Sequence, residues 1–160
     1  MNTPELDVIF YPNLIDMDFA SEVFLLLKET VTWNKKMASR YTESFGVPYH
    51  YSAMCYEEKQ MPDIIQELTL TVAERTGYKA NNCLLNYYLD GDSKMGFHSD
   101  DLSQLANGTG VAILSLGVAR EILFKHKHAT DIIESICLSH GSLLYMNDKN
   151  QQEWLHSIPK

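Results

Sequence analysis

A chain of 160 residues is long enough to bury one full core and short for two domains; 45% apolar and 21% charged residues suit an ordinary globular protein. A net charge of −8 excludes a protein that grips long duplex nucleic acid through its overall field. No apolar run approaches the roughly 20 residues of a membrane helix, and Met1-Asn2-Thr3-Pro4-Glu5 lacks the basic start and apolar stretch of a secretory signal.

In chain order, two helices come first. Asp16 or Asp18 can cap a helix whose apolar stripe is Phe19, Val23, Leu26 and Leu27. Lys35-Lys36 follows, and with the later Lys125-His126-Lys127-His128 it reads as solvated surface, since a phosphate patch needs several convergent cations. Pro62-Asp63 opens the second helix, with Ile64, Ile65, Leu68 and Val72 inside and Gly77 past its end. The second half reads as strands at 84–88, 111–116, 121–124, 132–138, 142–146 and 154–158. Asp90-Gly91-Asp92, Asn107-Gly108, Gly117, His140-Gly141 and Asn147-Asp148 supply the turns between them. Helices followed by a run of short strands define an α+β chain, with helices backing a sandwich or rolled barrel. A jelly roll suits the pattern, though propensity does not choose it over another sandwich. Cys55, Cys83 and Cys137 are widely spaced and odd in number. They read as semi-buried free thiols of a reducing cytoplasm rather than a disulfide framework or zinc knuckle.

Chemistry concentrates at three residues. His98 and Asp100 lie two apart in Gly96-Phe97-His98-Ser99-Asp100, so on a strand both face one way. His156 follows in Trp154-Leu155-His156-Ser157-Ile158, where apolar neighbours imply a buried strand and therefore an imidazole in need of partners. Two histidines and one carboxylate can hold one face of a non-haem Fe(II) and leave the other open for co-substrate and oxygen. The H-x-D pair alone describes a surface or capping pair equally well. His50, His126, His128 and His140 compete for the third place.

The surrounding motifs are specific. Asn82-Cys83-Leu84-Leu85-Asn86-Tyr87-Tyr88-Leu89-Asp90-Gly91, running on to Met95-Gly96-Phe97-His98-Ser99-Asp100-Asp101, resembles the AlkB-like 2-oxoglutarate and Fe(II)-dependent dioxygenases. So do Ser115-Leu116-Gly117 with Arg120, His140-Gly141-Ser142-Leu143-Leu144-Tyr145-Met146, and Trp154-Leu155-His156-Ser157-Ile158-Pro159. Ser44-Phe45-Gly46-Val47-Pro48-Tyr49-His50-Tyr51-Ser52 resembles the family's nucleotide-recognition segment.

The resemblance implies a double-stranded β-helix of jelly-roll type within a single domain over residues 1–160, with iron on His98, Asp100 and His156. It implies that Asn86 and Tyr88 hydrogen-bond 2-oxoglutarate, where the residues alone read as a strand with aromatic packing. It implies an oxidative dealkylation: a nucleobase N-methyl is hydroxylated as 2-oxoglutarate becomes succinate and carbon dioxide, and the product releases formaldehyde. The implied substrate is alkylated single- or double-stranded nucleic acid, with a base brought out of its stack to reach the metal. Tyr41, Phe45, Tyr49 and Tyr51 could form a stacking lid, although about half of such aromatics are expected in a core. Phe45 is the leading lid residue, Tyr49 accompanies it, and Asp101 is either a base-edge acceptor or the partner of a local cation. Leu102 stands where nucleic-acid repair members often carry an acidic residue, a departure that favours a protein or small-molecule substrate.

The family pattern continues after the distal histidine with a strand of the form R-x-x-L-T-F-R, one arginine of which pairs with the far carboxylate of 2-oxoglutarate. That pattern has no counterpart before Lys160. Three readings follow: a shortened chain, another cation in the arginine's place, or a non-catalytic binding module. A jelly roll without that strand would expose a sheet edge that invites self-association.

Overall fold

The computed structural model describes residues 3–51, 53–105 and 108–160. Ser52 of the aromatic segment, Asn107 of the expected turn and the first two residues lie outside these. The chain divides into two compact units, Met1–Leu26 with Lys94–Lys160, and Leu27–Ser93.

The first unit holds two antiparallel sheets. One runs β1 (Val8–Tyr11), β10 (Leu143–Met146), β7 (Val111–Leu114). The other runs β6 (Met95–His98), β11 (Trp154–Ile158), β8 (Arg120–His126), β9 (Ile133–Leu138). β8 alternates as a half-buried strand should: Ile122, Phe124 and His126 are buried, whereas Glu121 is exposed. Across from it, Trp154 pairs with His126 and His156 with Phe124, so the inward faces of β8 and β11 form one packed surface. β10 is buried throughout, as a central strand covered on both faces must be.

Helix α1 (Met17–Thr30) starts at Asp16, whose Oδ1 accepts the Phe19 N–H at 2.9 Å. Within this unit Phe24 packs against Gly117, and Ala20 lies beside Gly141, where bare backbone admits the helix. The buried stripe is Ala20, Val23 and Leu27. Leu26, expected in it, is exposed, because the helical rotation per residue carries it off the arc shared by Ala20, Val23 and Leu27.

The second unit pairs β2 (Tyr41–Gly46) with β5 (Asn82–Tyr87), and β3 (Tyr49–Tyr51) with β4 (Met54–Tyr56). Helix α2 (Asp63–Thr76) follows Pro62 and ends at Gly77, whose left-handed φ of 79° lets its N–H reach Ala73 O. Ile65, Leu68 and Val72 are buried as expected. Gly46 ends β2 with a φ of 93°, and a Cβ there would collide with the carbonyl of Asn81.

Three expectations fail for local reasons. Asn147-Asp148 begins a helix, α3 (Asp148–Glu153), because Asn147 caps it: its side-chain oxygen accepts Asn150 N–H at 2.8 Å. His126 is not solvated surface; its ring stands edge-on to Trp154 at 5.1 Å and its Nδ1 accepts the Ala129 N–H. Cys55 and Cys137 are exposed rather than semi-buried, whereas burial pushes the Cys83 thiol up to about 11.

Gly46→Ala combines left-handed strain with a backbone collision, while Gly77→Ala meets open space and carries strain alone. Urea unfolding should show a loss of about 1–2 kcal/mol for Gly77→Ala and a clearly larger loss for Gly46→Ala; equal losses would contradict the packing described.

Candidate metal centre

The register of the four-stranded sheet builds the centre. His98, the last residue of β6, pairs directly with His156 on β11, and the two rings lie 4.3 Å apart between centroids. His156 pairs in turn with Phe124 on β8. The row His98–His156–Phe124 therefore crosses three strands on one face, because directly paired residues in an antiparallel ladder point the same way.

Asp100 arrives differently. The expected strand ends at His98, and Asp100 stands in the loop beyond it. Alternation does not aim it. Its backbone N–H donates to Gln151 Oε1 at 2.8 Å, and Gln151 is almost fully buried on α3. A buried amide oxygen thus fixes the loop and turns the carboxylate toward the histidines. Asp100 Oδ2 lies 3.7 Å from His156 Nε2, and Oδ1 lies 3.9 Å from His98 Nε2. Both separations are too long for hydrogen bonds. Both are shorter than twice a metal–ligand bond of about 2.1 Å. The three residues offer ligand atoms that all lie within 4.8 Å of one another.

The donor set fits a divalent cation. His98 Nδ1 lies 2.9 Å from Gly96 O, so that nitrogen carries the proton and Nε2 keeps its lone pair for a metal. Burial lowers the His156 pKa to about 3, with the neighbouring His98 adding to the effect, so its imidazole is neutral at physiological pH. Its Nδ1 is buried with no hydrogen-bond partner, leaving packing to orient the ring. Asp100 is pushed up by burial, against the pull of His98. A bound cation supplies the charge that keeps such a carboxylate ionised. Imidazole and carboxylate without thiolate suit Fe(II).

Two of the four competing histidines, His140 and His126, are engaged elsewhere. His140 accepts the Gly117 N–H on Nδ1 at 2.8 Å and meets Ser21 Oγ on Nε2 at 3.0 Å. His126 closes the turn after β8, and His50 sits on β3 in the other unit.

Asn86 and Tyr88 belong to the second unit, Asn86 on β5 opposite Thr42 and Tyr88 one residue past the strand. Phe45 pairs with Cys83 on the adjacent strand, and Tyr49 pairs with Tyr56. Tyr41, Phe45, Tyr49 and Tyr51 are all half-buried, so none is a full core residue. Asp101 caps a short 3-10 turn (Leu102–Gln104), accepting from Ser103 N and Oγ at 2.9 and 2.7 Å, and these bonds lower its pKa. Arg120 donates to Pro159 O at 2.6 Å, and Lys125 lies over the Phe97 ring. Gln151 is the residue that sequence reasoning missed; a glutamine in Asn147-Asp148-Lys149-Asn150-Gln151 gives no sign that it is buried.

Antiparallel jelly-roll sheets carrying two histidines and a carboxylate at one sheet end define a non-haem iron oxygenase scaffold. The model of the 2OG-Fe(II) oxygenase superfamily matches residues 10–160, and the chain belongs to that family as an AlkB-like member. It is 34% identical over 121 residues to the DNA oxidative demethylase ALKBH2 of Mus musculus, covering 71% of this chain and 51% of the relative. It is 30% identical over 173 residues to the alpha-ketoglutarate-dependent dioxygenase alkB homolog 3 of Rattus norvegicus, covering 96% of this chain and 58% of the relative. The chain thus spans roughly half the length of these curated relatives. The solved structure of OsALKBH1 superposes with a TM-score of 0.67 at 15% identity over 98% of this chain and 87% of that one, which supports the jelly-roll fold. No helix among the described residues is long and apolar enough to cross a membrane.

Mn(II) or anaerobic Fe(II) should raise the melting temperature of the wild type. Asp100→Asn and His156→Ala should abolish the rise, and Gln151→Ala should weaken metal affinity about tenfold through the loss of its hold on the Asp100 loop. A Gln151→Ala protein with unchanged affinity would show that the loop holds itself.

Proposed function

We propose that the chain is an Fe(II)- and 2-oxoglutarate-dependent dioxygenase that removes alkyl groups from the nitrogen atoms of nucleobases in nucleic acid. One observation carries this reading: the His98–Asp100–His156 cluster, assembled from a strand end, a loop and a central strand, in a chain akin to proteins named DNA oxidative demethylase. His98, Asp100 and His156 hold the metal. Asn86 and Tyr88 bind 2-oxoglutarate through side-chain amide and phenol. Phe45 and Tyr49 offer half-buried aromatic faces against which a base can stack. Asp101, ionised and exposed, offers an acceptor to a base edge. The three free cysteines support a reducing compartment such as the cytoplasm.

Bound iron would activate oxygen, which is the oxidant, and 2-oxoglutarate would supply two of the four electrons that reduce it. The chain's residues do the rest. The two imidazoles and the carboxylate would hold the metal through three protein donors and leave its remaining positions to reactants. The apolar neighbours Phe124 and Trp154 keep water from the His156 side. The net reaction converts an N–CH3 group, 2-oxoglutarate and oxygen to N–CH2OH, succinate and carbon dioxide. The N–CH2OH product then loses formaldehyde and leaves N–H.

N-methylated single- and double-stranded oligonucleotides, incubated with the chain, Fe(II) and 2-oxoglutarate, should yield formaldehyde and succinate in equal amounts, and Asp100→Asn should yield neither. Succinate that forms with other substrates but never with oligonucleotides would place the activity on a protein or small molecule, as Leu102 and the acidic charge favour. Metal binding with no turnover on any substrate would identify a binding module.

A further inference from the structure

Arg40 is buried, with 4% of its surface exposed, and carries a permanent charge. Its Nε donates to Asn86 Oδ1 at 2.7 Å, and Nη1 approaches Ser39 Oγ at 3.5 Å. Nη2 is buried with no hydrogen-bond partner. The Tyr51 ring centroid lies 5.3 Å from Cζ. None of the ion pairs of Lys59, His98 and His156 supplies Arg40 with a carboxylate, and its own polar contacts are to Asn86 and Ser39. A guanidinium removed from water without a counter-ion is unfavourable unless an anion completes it.

The local geometry says where that anion would sit. Thr42 pairs with Asn86 and Tyr41 with Tyr87. Arg40 directly precedes β2 and Tyr88 directly follows β5, so both stand at the end of the β2–β5 ribbon where Arg40 reaches Asn86. Arginine can only donate, so the Asn86 atom it contacts must be the carbonyl oxygen, and the amide cannot flip. Asn86 Nδ2 is thereby left as a donor. A planar cation and a fixed amide N–H, with a tyrosine two residues from the amide, are together a donor set for a carboxylate.

We propose that Arg40 is a carboxylate-binding cation of the 2-oxoglutarate site and that it positions Asn86 for the same ligand. This rests on the assignment of Asn86 and Tyr88 made above. A backbone phosphate of nucleic acid is the weaker fit, because a polymer cannot reach a guanidinium with so little exposed surface, whereas a small dicarboxylate can enter beside half-buried Asn86.

The test is calorimetric titration of 2-oxoglutarate into Mn(II)-loaded protein, where no turnover occurs. Arg40→Gln should weaken 2-oxoglutarate binding by roughly tenfold or more, and Arg40→Lys by a smaller factor, since lysine keeps the charge and loses the planar fork. Affinity for Mn(II) alone, measured in parallel, should stay within about twofold of wild type in both. Binding of 2-oxoglutarate by Arg40→Gln at wild-type strength overturns the proposal. So does a loss confined to oligonucleotide binding, which would make Arg40 a phosphate contact. Circular dichroism checks the fold; if Arg40→Gln does not fold, Arg40→Lys decides, and wild-type affinity in it overturns the proposal. A wild-type protein that binds Mn(II) but no 2-oxoglutarate defeats instead the assignment of Asn86 and Tyr88, and Arg40 falls with it.

Discussion

The pairing of β11 with β6 on one side and β8 on the other is the constraint on which the rest depends. One register sets Trp154 against His126, His156 against Phe124 and His98 against His156. The same alignment buries the indole, withdraws an imidazole from water and brings a second imidazole to face it. A slip of one residue would turn all of these side chains to the opposite face. The centre is therefore a property of strand alignment, and the apolar residues that specify the alignment are also those that exclude water from it.

Electrostatics then follow from packing. Burial disfavours charge on both His156 and Asp100, so the free site tends toward neutrality. A divalent cation satisfies what the protein alone leaves unsatisfied. The second unit repeats this logic in another form: Arg40 is buried on a polar strand face with a donor unused. In both places an unfavourable arrangement is retained where a ligand of opposite charge would relieve it.

Much of this was legible in the residues. The strand at 154–158 was read with its boundaries correct, because Trp154, Leu155 and Ile158 leave little alternative for a short apolar run. The second helix was bounded by Pro62 and Gly77, whose conformational limits act locally. In the second unit β5 is legible at 84–88, but β2, β3 and β4 are not: Tyr41–Gly46 mixes Thr42, Glu43 and Ser44, all buried, into a segment with no apolar alternation. Their burial is made tolerable by partners distant in sequence, Tyr56 for Thr42 and Lys59 for Glu43, which no local pattern reveals. That His98, Asp100 and His156 belong together was legible from their types and surrounding motifs, but the means of holding Asp100 was not. Gln151 lies 51 residues away, and its role exists only in three dimensions.

That long-range hydrogen bond divides labour within the centre. The histidines are fixed by a ladder that yields only when the sheet opens, whereas the carboxylate hangs on a loop tied by one amide to a six-residue helix. Local opening of so short an element is far easier than opening a central sheet. An ion held there would therefore take its geometry from the strands and its residence time from the loop: exchange would proceed at the rate of a small, reversible loosening at Asp100 while the scaffold around the two imidazoles remains closed.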